Sequence, residues 1–232
     1  MSYQRSLETQ EPYDIEHRLL MPDGRIKYVR EECETTFEAG VPIESTGTVQ
    51  DITERKLAEL EVQKLARTDY LTQLPNRAHF HEALEKAIDH SERHKFLIGL
   101  ALLDLDGFKL VNDTYGHQVG DIVLREVGRR LKSVFRDVDT VARLGGDEFA
   151  IILDALESVE AANTPLHRAI ELLNYPFEVD QYEINIGASI GVAFYPVSAL
   201  KPDELIRKAD EALYAAKFGG KGKVEVYGVL KN

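Results

Sequence analysis

The sequence predicts an α+β protein with helices packed on a largely antiparallel sheet, and three observations indicate this fold class. Strand-like and helix-like segments alternate from Arg67 onward. The apolar run Phe96–Leu103 lies between charged residues, as a fully buried strand does. The segments 140–143 and 149–153 flank a glycine pair, which is typical of a hairpin turn. Helices laid on such a sheet make an α+β sandwich.

The composition excludes several classes of protein. Of the 232 residues, 44% are hydrophobic and 29% are charged, which is ordinary for a globular protein. A net charge of −12 argues against a nucleic-acid partner, because phosphate backbones require clustered Lys and Arg. No apolar run is long enough to span a bilayer, and the N-terminus lacks the apolar core of a signal peptide. We therefore expect a cytoplasmic location, unless regions N-terminal to this chain attach the protein to a membrane.

The first 55 residues are predicted to form β-strands joined by turns. Apolar and polar residues alternate from Ile15 to Leu20, as in a half-buried strand, and Pro22-Asp23-Gly24 then supplies a tight turn. Further strands are predicted at 26–37 and 43–50. Three strands make one antiparallel sheet with little to cover its apolar face, so we expect an incomplete domain here.

A short helix is predicted to connect this sheet to the rest of the chain. Thr53 is a suitable N-cap, and an apolar stripe recurs at helical spacing among Glu, Lys and Gln: Leu57, Leu60, Val62 and Leu65. The stripe suits a two-stranded coiled coil, although it extends over only about two heptads. A solvated connector accounts for it equally well, and both interpretations stay open.

The remaining elements follow from hydrophobic periodicity. Asn76 opens an amphipathic helix that extends to about His94. Beyond the buried strand and the hairpin, the sequence predicts further helices at 119–135, 158–173 and 202–218, and strands at 184–194 and 224–227.

Two acidic clusters lie where strands are predicted to end. Asp104 and Asp106 follow the buried strand, where carboxylate oxygens can hold a hard cation. For Asp106 the better explanation is a cap on a short helix that begins at Phe108, whereas Asp104 has no helix start to cap. Asp147 and Glu148, at the hairpin tip, repel each other unless a metal ion or metal-bound phosphate neutralises them. Acidic clusters on adjacent strands are how two-metal phosphoryl-transfer sites are assembled.

Four segments in this part of the chain form a series. In chain order they are residues 69–77, residues 104–121, the hairpin segment Arg143-Leu144-Gly145-Gly146-Asp147-Glu148-Phe149, and residues 209–217. In the same order they resemble the opening turn, the metal and guanine segment, the signature and the last helix of the GGDEF family, the diguanylate cyclases. The resemblance extends over about 67–228. It implies a catalytic domain at 67–232, preceded by a linker helix at 56–66.

This resemblance implies a fold similar to the palm of polymerases and nucleotidyl cyclases, and a defined reaction. Family members condense two GTP into cyclic di-GMP and two pyrophosphates, with one GTP on each of two domains that meet as a homodimer. By this resemblance, Asp104, the Leu105 carbonyl and Asp147 would bind Mg²⁺ or Mn²⁺, with Glu148 assisting. Asp147 would also take the proton from the 3′-hydroxyl. Three lysines would neutralise phosphate charge: Lys109, Lys217 and Lys221.

Asn112 and Asp121 fall, by the same resemblance, where the family binds guanine. A carboxylate can accept from guanine N1–H and N2–H together, whereas adenine has an acceptor at N1 and should be rejected. The alternative for Asp121 is a structural position at a helix start. For His117, contact with the substrate and simple packing both stay open.

Arg136 and Asp139 match the family's inhibitory Arg-x-x-Asp motif at the expected distance before the signature. By this resemblance Arg136 would bind guanine and phosphate of the product, and Asp139 would accept from another guanine. As a bare pattern, an Arg and an Asp three residues apart form a surface ion pair, and this is the alternative.

The segment after the last helix departs from the family. Where the family usually has Gly-Arg-Asn, this chain has Gly220-Lys221-Gly222, so the charge is kept and the bidentate fork of arginine is lost. We therefore expect activity with a less precise phosphate contact. The alternative is that Lys217, Lys221 and Lys223 only complement the helix C-terminus.

Residues 1–55 resemble the C-terminal half of a PAS sensory domain, through the segments 22–25 and 47–56. This implies that a sensor controls the enzyme through the linker helix, and that the chain begins inside a longer protein.

Three rival functions remain. Another purine nucleotide cyclase is disfavoured by Asn112 and Asp121. A silent GTP- or product-binding module would be indicated by the loss of Asp104, Asp147 or Glu148, all of which are present. A pure dimerisation element would leave the acidic pair at the hairpin unexplained.

Overall fold

A computed structural model describes residues 3–228 of the chain, except for the side chains of residues 3 and 63–65. The described residues form two compact units that divide between Lys64 and Leu65. Within these residues, no helix has the length and apolar character needed to cross a membrane.

The N-terminal unit is built on a three-stranded antiparallel sheet in the order β1-β2-β3. Its elements are α1 (Tyr3–Thr9), β1 (Tyr13–Leu20), β2 (Ile26–Glu38) and β3 (Val41–Asp51), followed by α2 (Thr53–Arg67). The three strands lie where the alternation predicted them, whereas α1 was not predicted. Val41, Ile43 and Val49 of β3 are exposed, so this sheet buries little of its apolar surface.

The start of α2 differs from the sequence prediction. The Thr53 hydroxyl accepts a hydrogen bond from the Tyr28 amide at 3.0 Å, so it is engaged by β2 and does not cap the helix. Asp51 acts at the helix start instead, because its carboxylate accepts from the Thr53 amide at 3.0 Å. Hydrogen bonds from Lys27 and Thr53 lower the pKa of Asp51 below its usual value.

The predicted apolar stripe of the linker lies on α2. Leu57, Leu60 and Val62 are exposed, and the side chain of Leu65 lies outside the described residues. A coiled coil with a second copy of the helix therefore stays a prediction.

The C-terminal unit carries helices on a five-stranded sheet with the strand order β10-β9-β4-β6-β5. Its elements are α3 (Arg77–His94), β4 (Leu97–Asp106), α4 (Phe108–Tyr115), α5 (His117–Val134), β5 (Thr140–Gly145), β6 (Glu148–Leu156), α6 (Asn163–Asn174), β7 (Phe177–Val179), β8 (Tyr182–Ile184), β9 (Gly187–Tyr195), α7 (Pro202–Phe218) and β10 (Val224–Val226). All neighbouring strands in this sheet are antiparallel except β9 and β10. The predicted α+β class with a largely antiparallel sheet is confirmed.

Both faces of the sheet are covered, which explains the uninterrupted apolar character of β4. Ala101, Leu103 and Leu105 pack under α4, α5 and α6, whereas Leu100 and Leu102 pack under α3 and α7. A strand buried on both faces shows no alternation of polar and apolar residues. By the same alternation of side-chain direction, the carboxylates of Asp104 and Asp106 share the face of Leu100 and Leu102.

The predicted strand 184–194 is wrong in one respect. Ile184 ends β8, which pairs with β7 in a separate two-stranded hairpin, and β9 begins at Gly187. The predicted helix at 158–173 likewise begins as a short 3₁₀ turn, Glu160–Ala162, before α6. Alternation and helical spacing continue across these junctions, so the sequence pattern does not reveal the breaks.

Arg130 of α5 forms hydrogen bonds with the C-terminal end of α6. Its side chain is 11% exposed, and its Nε contacts Glu126 Oε1 at 3.0 Å. Its two terminal nitrogens donate to backbone carbonyls at the end of α6 and just after it: Leu172 at 3.0 Å, Tyr175 at 2.6 Å and Pro176 at 2.7 Å. These carbonyls have no further helical turn to bond to, so the guanidinium acts as the C-terminal cap of α6.

Replacing Arg130 should therefore destabilise the unit. We expect Arg130→Met to lower the free energy of unfolding by about 2–4 kcal/mol, because it leaves three partly buried carbonyls and Glu126 without their donor. Urea denaturation followed by circular dichroism measures the change. Arg129→Met is the matched control, since Arg129 bonds the same Glu126 but its side chain is 70% exposed, and it should change stability by less than about 1 kcal/mol. Equal effects of the two substitutions would contradict the capping role.

Candidate active site

The two acidic clusters meet at one corner of the sheet because β4 and β6 are antiparallel neighbours. Asp104 is in register with Glu148. The Leu105 amide donates to the Asp147 carbonyl at 3.3 Å, which holds the hairpin tip against the end of β4. Lys217 of α7 also reaches this corner, where its Nζ lies 2.7 Å from Asp104 Oδ2. The structure thus brings together five of the predicted site residues.

The ionisation of Asp104 reflects this setting. Burial raises the pKa of the Asp104 carboxyl, and the nearby charges of Asp147 and Asp106 raise it further, while the hydrogen bond from Lys217 opposes the rise. A cation placed between these carboxylates would relieve their repulsion. The corner is therefore electrostatically prepared for a bound cation.

The donor atoms at this corner suit a hard cation. Asp104, Asp147 and the Leu105 carbonyl offer oxygen ligands, which Mg²⁺ and Mn²⁺ prefer. Across residues 3–228, no three His, Cys, Asp or Glu side chains are grouped around one metal position. Since Mg²⁺ is usually held by one or two carboxylates together with water and substrate phosphates, this donor set fits a cation that binds with a nucleotide.

Glu148 is held differently from its neighbour Asp147. Its Oε2 lies 3.5 Å from a terminal nitrogen of Arg77, and the Arg77 Nε donates to the Leu144 carbonyl at 3.2 Å. Arg77, the first residue of α3, therefore lies beside the hairpin and partly neutralises Glu148. No pattern in the sequence indicates this role of Arg77.

Arg143 is a second residue that sequence reasoning left without a role. Its Nε and one terminal nitrogen donate to the Gly146 carbonyl at 3.0 and 2.7 Å, and the other terminal nitrogen contacts Asp69 Oδ1 at 3.0 Å. Asp69 Oδ1 also accepts from the amide and hydroxyl of Thr72 at 2.9 and 2.7 Å. These bonds join the turn before α3 to the glycine turn before Asp147, so the hairpin tip is held from inside the fold.

Asp106 does not cap α4, and that expectation is wrong. The N-cap position is Gly107, which makes no side-chain capping bond. Asp106 belongs to β4, and its Oδ2 accepts from the Ser189 hydroxyl at 2.8 Å and the Gly222 amide at 3.1 Å. The carboxylate points to β9 and the loop after α7 because it follows the side-chain direction of the strand.

The predicted guanine residues lie on the adjacent helices α4 and α5. Asn112 is in α4, and Asp121 lies inside α5, past its first turn. A helix-start role for Asp121 therefore does not apply. A Cβ atom at Gly120 would lie 2.0 Å from Asn112 Oδ1, so the missing side chain of Gly120 leaves the space that the Asn112 amide occupies. His117, the first residue of α5, is exposed.

The three predicted phosphate lysines occupy unlike positions. Lys217 bonds Asp104, whereas the side chains of Lys109 and Lys221 are exposed. Lys221 lies in the loop between α7 and β10 with a φ of 62°, and its amide donates to the Ala216 carbonyl at 3.1 Å. Only Lys217 is therefore in direct contact with the acidic corner.

Arg136 and Asp139 form a two-pronged ion pair. Arg136 contacts the Asp139 carboxylate at 2.7 and 3.0 Å, and Asp139 also accepts from the Asp154 amide at 3.2 Å. The Asp139 side chain is 2% exposed and that of Arg136 is 55% exposed. Cavities of about 310 and 360 Å³ adjoin the pair. The ion-pair interpretation thus describes the geometry of this structure, while the exposed guanidinium stays accessible to a ligand.

The family match covers the C-terminal unit. Residues 66–223 match the family model described as "Diguanylate cyclase, GGDEF domain". The bifunctional diguanylate cyclase/cyclic di-GMP phosphodiesterase MucR of Pseudomonas aeruginosa is 42% identical over 164 residues, which cover 71% of this chain and 24% of MucR. The chain spans about a quarter of the length of the curated relatives it matches.

Solved structures give the same result. The GGDEF domain of TpbB from Pseudomonas aeruginosa is 36% identical with a TM-score of 0.67, over 68% of this chain and 99% of that domain. The coiled coil and GGDEF domain of DgcB from Caulobacter crescentus, solved in complex with c-di-GMP, is 35% identical with a TM-score of 0.67, over 75% of this chain and 92% of that structure. The chain belongs to the GGDEF family, and its enzyme class is that of the diguanylate cyclases.

Proposed function

We propose that this chain condenses two GTP into cyclic di-GMP and two pyrophosphates, as a homodimer of catalytic domains. The observation that carries the proposal is the corner at which Asp104 and Asp147 meet beside Lys217. Two carboxylates at the ends of the adjacent strands β4 and β6, together with an ammonium group from α7, suit the binding of a metal-bound triphosphate. The complex of DgcB with c-di-GMP supports the choice of product.

The carboxylates of Asp104 and Asp147 and the Leu105 carbonyl would hold Mg²⁺ or Mn²⁺, with Glu148 assisting from its place beside Arg77. A cation bound there would supply positive charge to the reacting α-phosphate. Asp147 would accept the proton of the attacking 3′-hydroxyl. Lys217 would exchange its bond with Asp104 for one with phosphate once the cation neutralises that carboxylate.

The base of each GTP would lie against α4 and α5. Asp121 would accept from guanine N1–H and N2–H, and Asn112 would contact the same base from the space beside Gly120. Three exposed residues at the edge of the proposed nucleotide site would reach the triphosphate or ribose: Lys109 of α4, His117 and Lys221. This arrangement selects guanine over adenine, because adenine would leave the Asp121 carboxylate without donors.

The dimer follows from the stoichiometry of the reaction. Each catalytic domain, as described, has one acidic corner and one pair of residues proposed to bind guanine, whereas the product contains two joined nucleotides. Two domains that meet face to face would present each 3′-hydroxyl to the α-phosphate held by the other. We propose that α2 favours this encounter through its exposed apolar stripe, under the control of a PAS-like sensor that includes residues 1–55. Because GTP is the substrate, we place the reaction in the cytoplasm.

Incubation of the protein with GTP and Mg²⁺, followed by chromatography, tests the activity directly. We expect cyclic di-GMP and pyrophosphate, and Asp147→Asn should lower kcat by at least about 100-fold because it removes a metal ligand and the proton acceptor. Asp89→Asn, an exposed carboxylate of α3, is the control and should retain full activity. Binding of GTP without turnover by the unaltered chain would overturn the cyclase proposal in favour of a silent nucleotide-binding module.

Gly120 should prove to be a specificity residue. We expect Gly120→Ala to raise the KM for GTP by about 10-fold, because the new methyl group displaces Asn112 from the base. The free energy of unfolding should fall by less than about 1 kcal/mol, because the higher helix propensity of alanine offsets part of the cost of displacing Asn112. Combining the change with Asn112→Ala should give no further loss in steady-state kinetics. Full additivity of the two substitutions would show that Gly120 does not act through Asn112.

Product inhibition is proposed at Arg136 and Asp139, since the exposed Arg136 guanidinium adjoins two cavities. We expect Arg136→Ala to raise the inhibition constant of cyclic di-GMP by about 10-fold or more, because a bidentate guanidinium contact is lost. Initial rates at increasing product concentration give this constant. Arg129→Ala removes another exposed arginine, on α5, and should leave inhibition unchanged. The same inhibition constant in both variants would confine Arg136 and Asp139 to a structural ion pair.

A further inference from the structure

We infer that Asp106 is a positioning residue that holds the loop 219–223, and with it Lys221, in place for phosphate binding. Asp106 is the last residue of β4, and its Oδ2 accepts from the buried Ser189 hydroxyl at 2.8 Å and from the Gly222 amide at 3.1 Å. The inference rests on the proposed function, because it gives Lys221 the role of contacting the GTP phosphates.

The backbone of this loop requires an external support. Gly220, Lys221 and Gly222 have φ values of 113°, 62° and 60°, so three successive residues are in the left-handed region. A lysine rarely adopts this conformation, and two flanking glycines have high conformational freedom when unbound. The loop therefore stays ordered only if hydrogen bonds from the surrounding fold hold it.

Four hydrogen bonds hold the backbone of the loop within the described residues. The Gly219 amide donates to the Ala215 carbonyl at 2.9 Å, the Lys221 amide donates to the Ala216 carbonyl at 3.1 Å, and the Ile190 amide donates to the Lys223 carbonyl at 2.9 Å. The fourth bond joins the Gly222 amide to Asp106, and it is the one accepted by a side chain. A bond from an amide to a carboxylate is stronger than a neutral one, so Asp106 supplies the strongest of the four restraints.

The position of Asp106 relates it to the reaction. Asp104, two residues earlier on the same face of β4, bonds Lys217 at the end of α7. Asp106 accepts a hydrogen bond from the loop after α7, which carries Lys221 four residues after Lys217. The two aspartates thus hold the two lysines of the phosphate side, one through its side chain and the other through the neighbouring backbone.

The chemistry of the bonds suggests which substitutions are informative. An asparagine at position 106 keeps an oxygen that can accept from both Ser189 and Gly222, so it preserves the positioning bonds without the charge. Alanine removes both bonds, and serine is too short to reach the Gly222 amide. A metal ligand would behave differently, because metal binding depends on the carboxylate charge.

A double-mutant cycle with Lys221 tests the inference. We expect Asp106→Ala and Asp106→Ser to lower kcat/KM for GTP by about 10-fold, mainly through KM, and Asp106→Asn to lie within about 3-fold of the unaltered protein. In a Lys221→Ala background, Asp106→Ala should have less than about a 2-fold further effect. Multiplicative effects, or an Asp106→Asn variant as inactive as Asp147→Asn, would overturn the inference.

Hydrogen exchange provides a readout that needs no turnover. In the absence of nucleotide, Asp106→Ala and Asp106→Ser should increase amide exchange in residues 219–223 by about 10-fold or more, while exchange in α3 stays unchanged. Asp89→Ala is the matched control for loss of an exposed carboxylate. Unchanged exchange in the loop would overturn the inference even if the protein is an active cyclase. Lack of turnover by the unaltered chain would overturn the proposed function while leaving the loop measurement valid.

Discussion

A carboxylate at the end of a buried strand must be hydrogen-bonded or paired, and the central strand β4 ends with two of them. The structure meets this requirement for one oxygen of each carboxylate, from α7 and from the loop that follows it, whereas Asp106 Oδ1 is buried without a hydrogen-bond partner in the described part of the chain. Lys217 bonds Asp104, and the Gly222 amide bonds Asp106. The same contacts that relieve the buried charge bring Lys217, near the C-terminal end of α7, to the catalytic corner, so a structural constraint and a functional arrangement coincide.

A buried guanidinium imposes the corresponding constraint on the other side of the corner. Arg143 is 9% exposed, and its donors are satisfied by the Gly146 carbonyl and by Asp69. The Arg143 amide also donates to the Pro75 carbonyl at 2.9 Å. The turn before α3 and the glycine hairpin therefore form one hydrogen-bonded structure. Because Asp147 follows this hairpin directly, its position relative to Asp104 is set by groups far away in the sequence.

The elements that could be predicted from the sequence are those whose patterns are local. The bounds of α7 match the prediction, and Asn76 accepts from the His79 amide as a predicted N-cap should. The two helix caps that were wrongly predicted depend on distant partners. Asp106 was assigned to the nearest helix because its partners, Ser189 and Gly222, lie more than 80 residues away. The pairing of Arg143 with Asp69 and the space between Gly120 and Asn112 likewise exist only in three dimensions.

The replacement of the usual arginine by Lys221 changes what the protein must supply at this position. A guanidinium recognises phosphate through two directed hydrogen bonds, whereas an ammonium group acts as a compact charge on a flexible stem. The contact of a lysine with phosphate therefore depends mainly on distance, and distance depends on the backbone that carries it. With glycines on both sides of Lys221, no neighbouring side chain in the loop restrains that backbone. The bond from Gly222 to Asp106 is consequently worth more here than it would be beside a residue that packs or bonds through its own side chain.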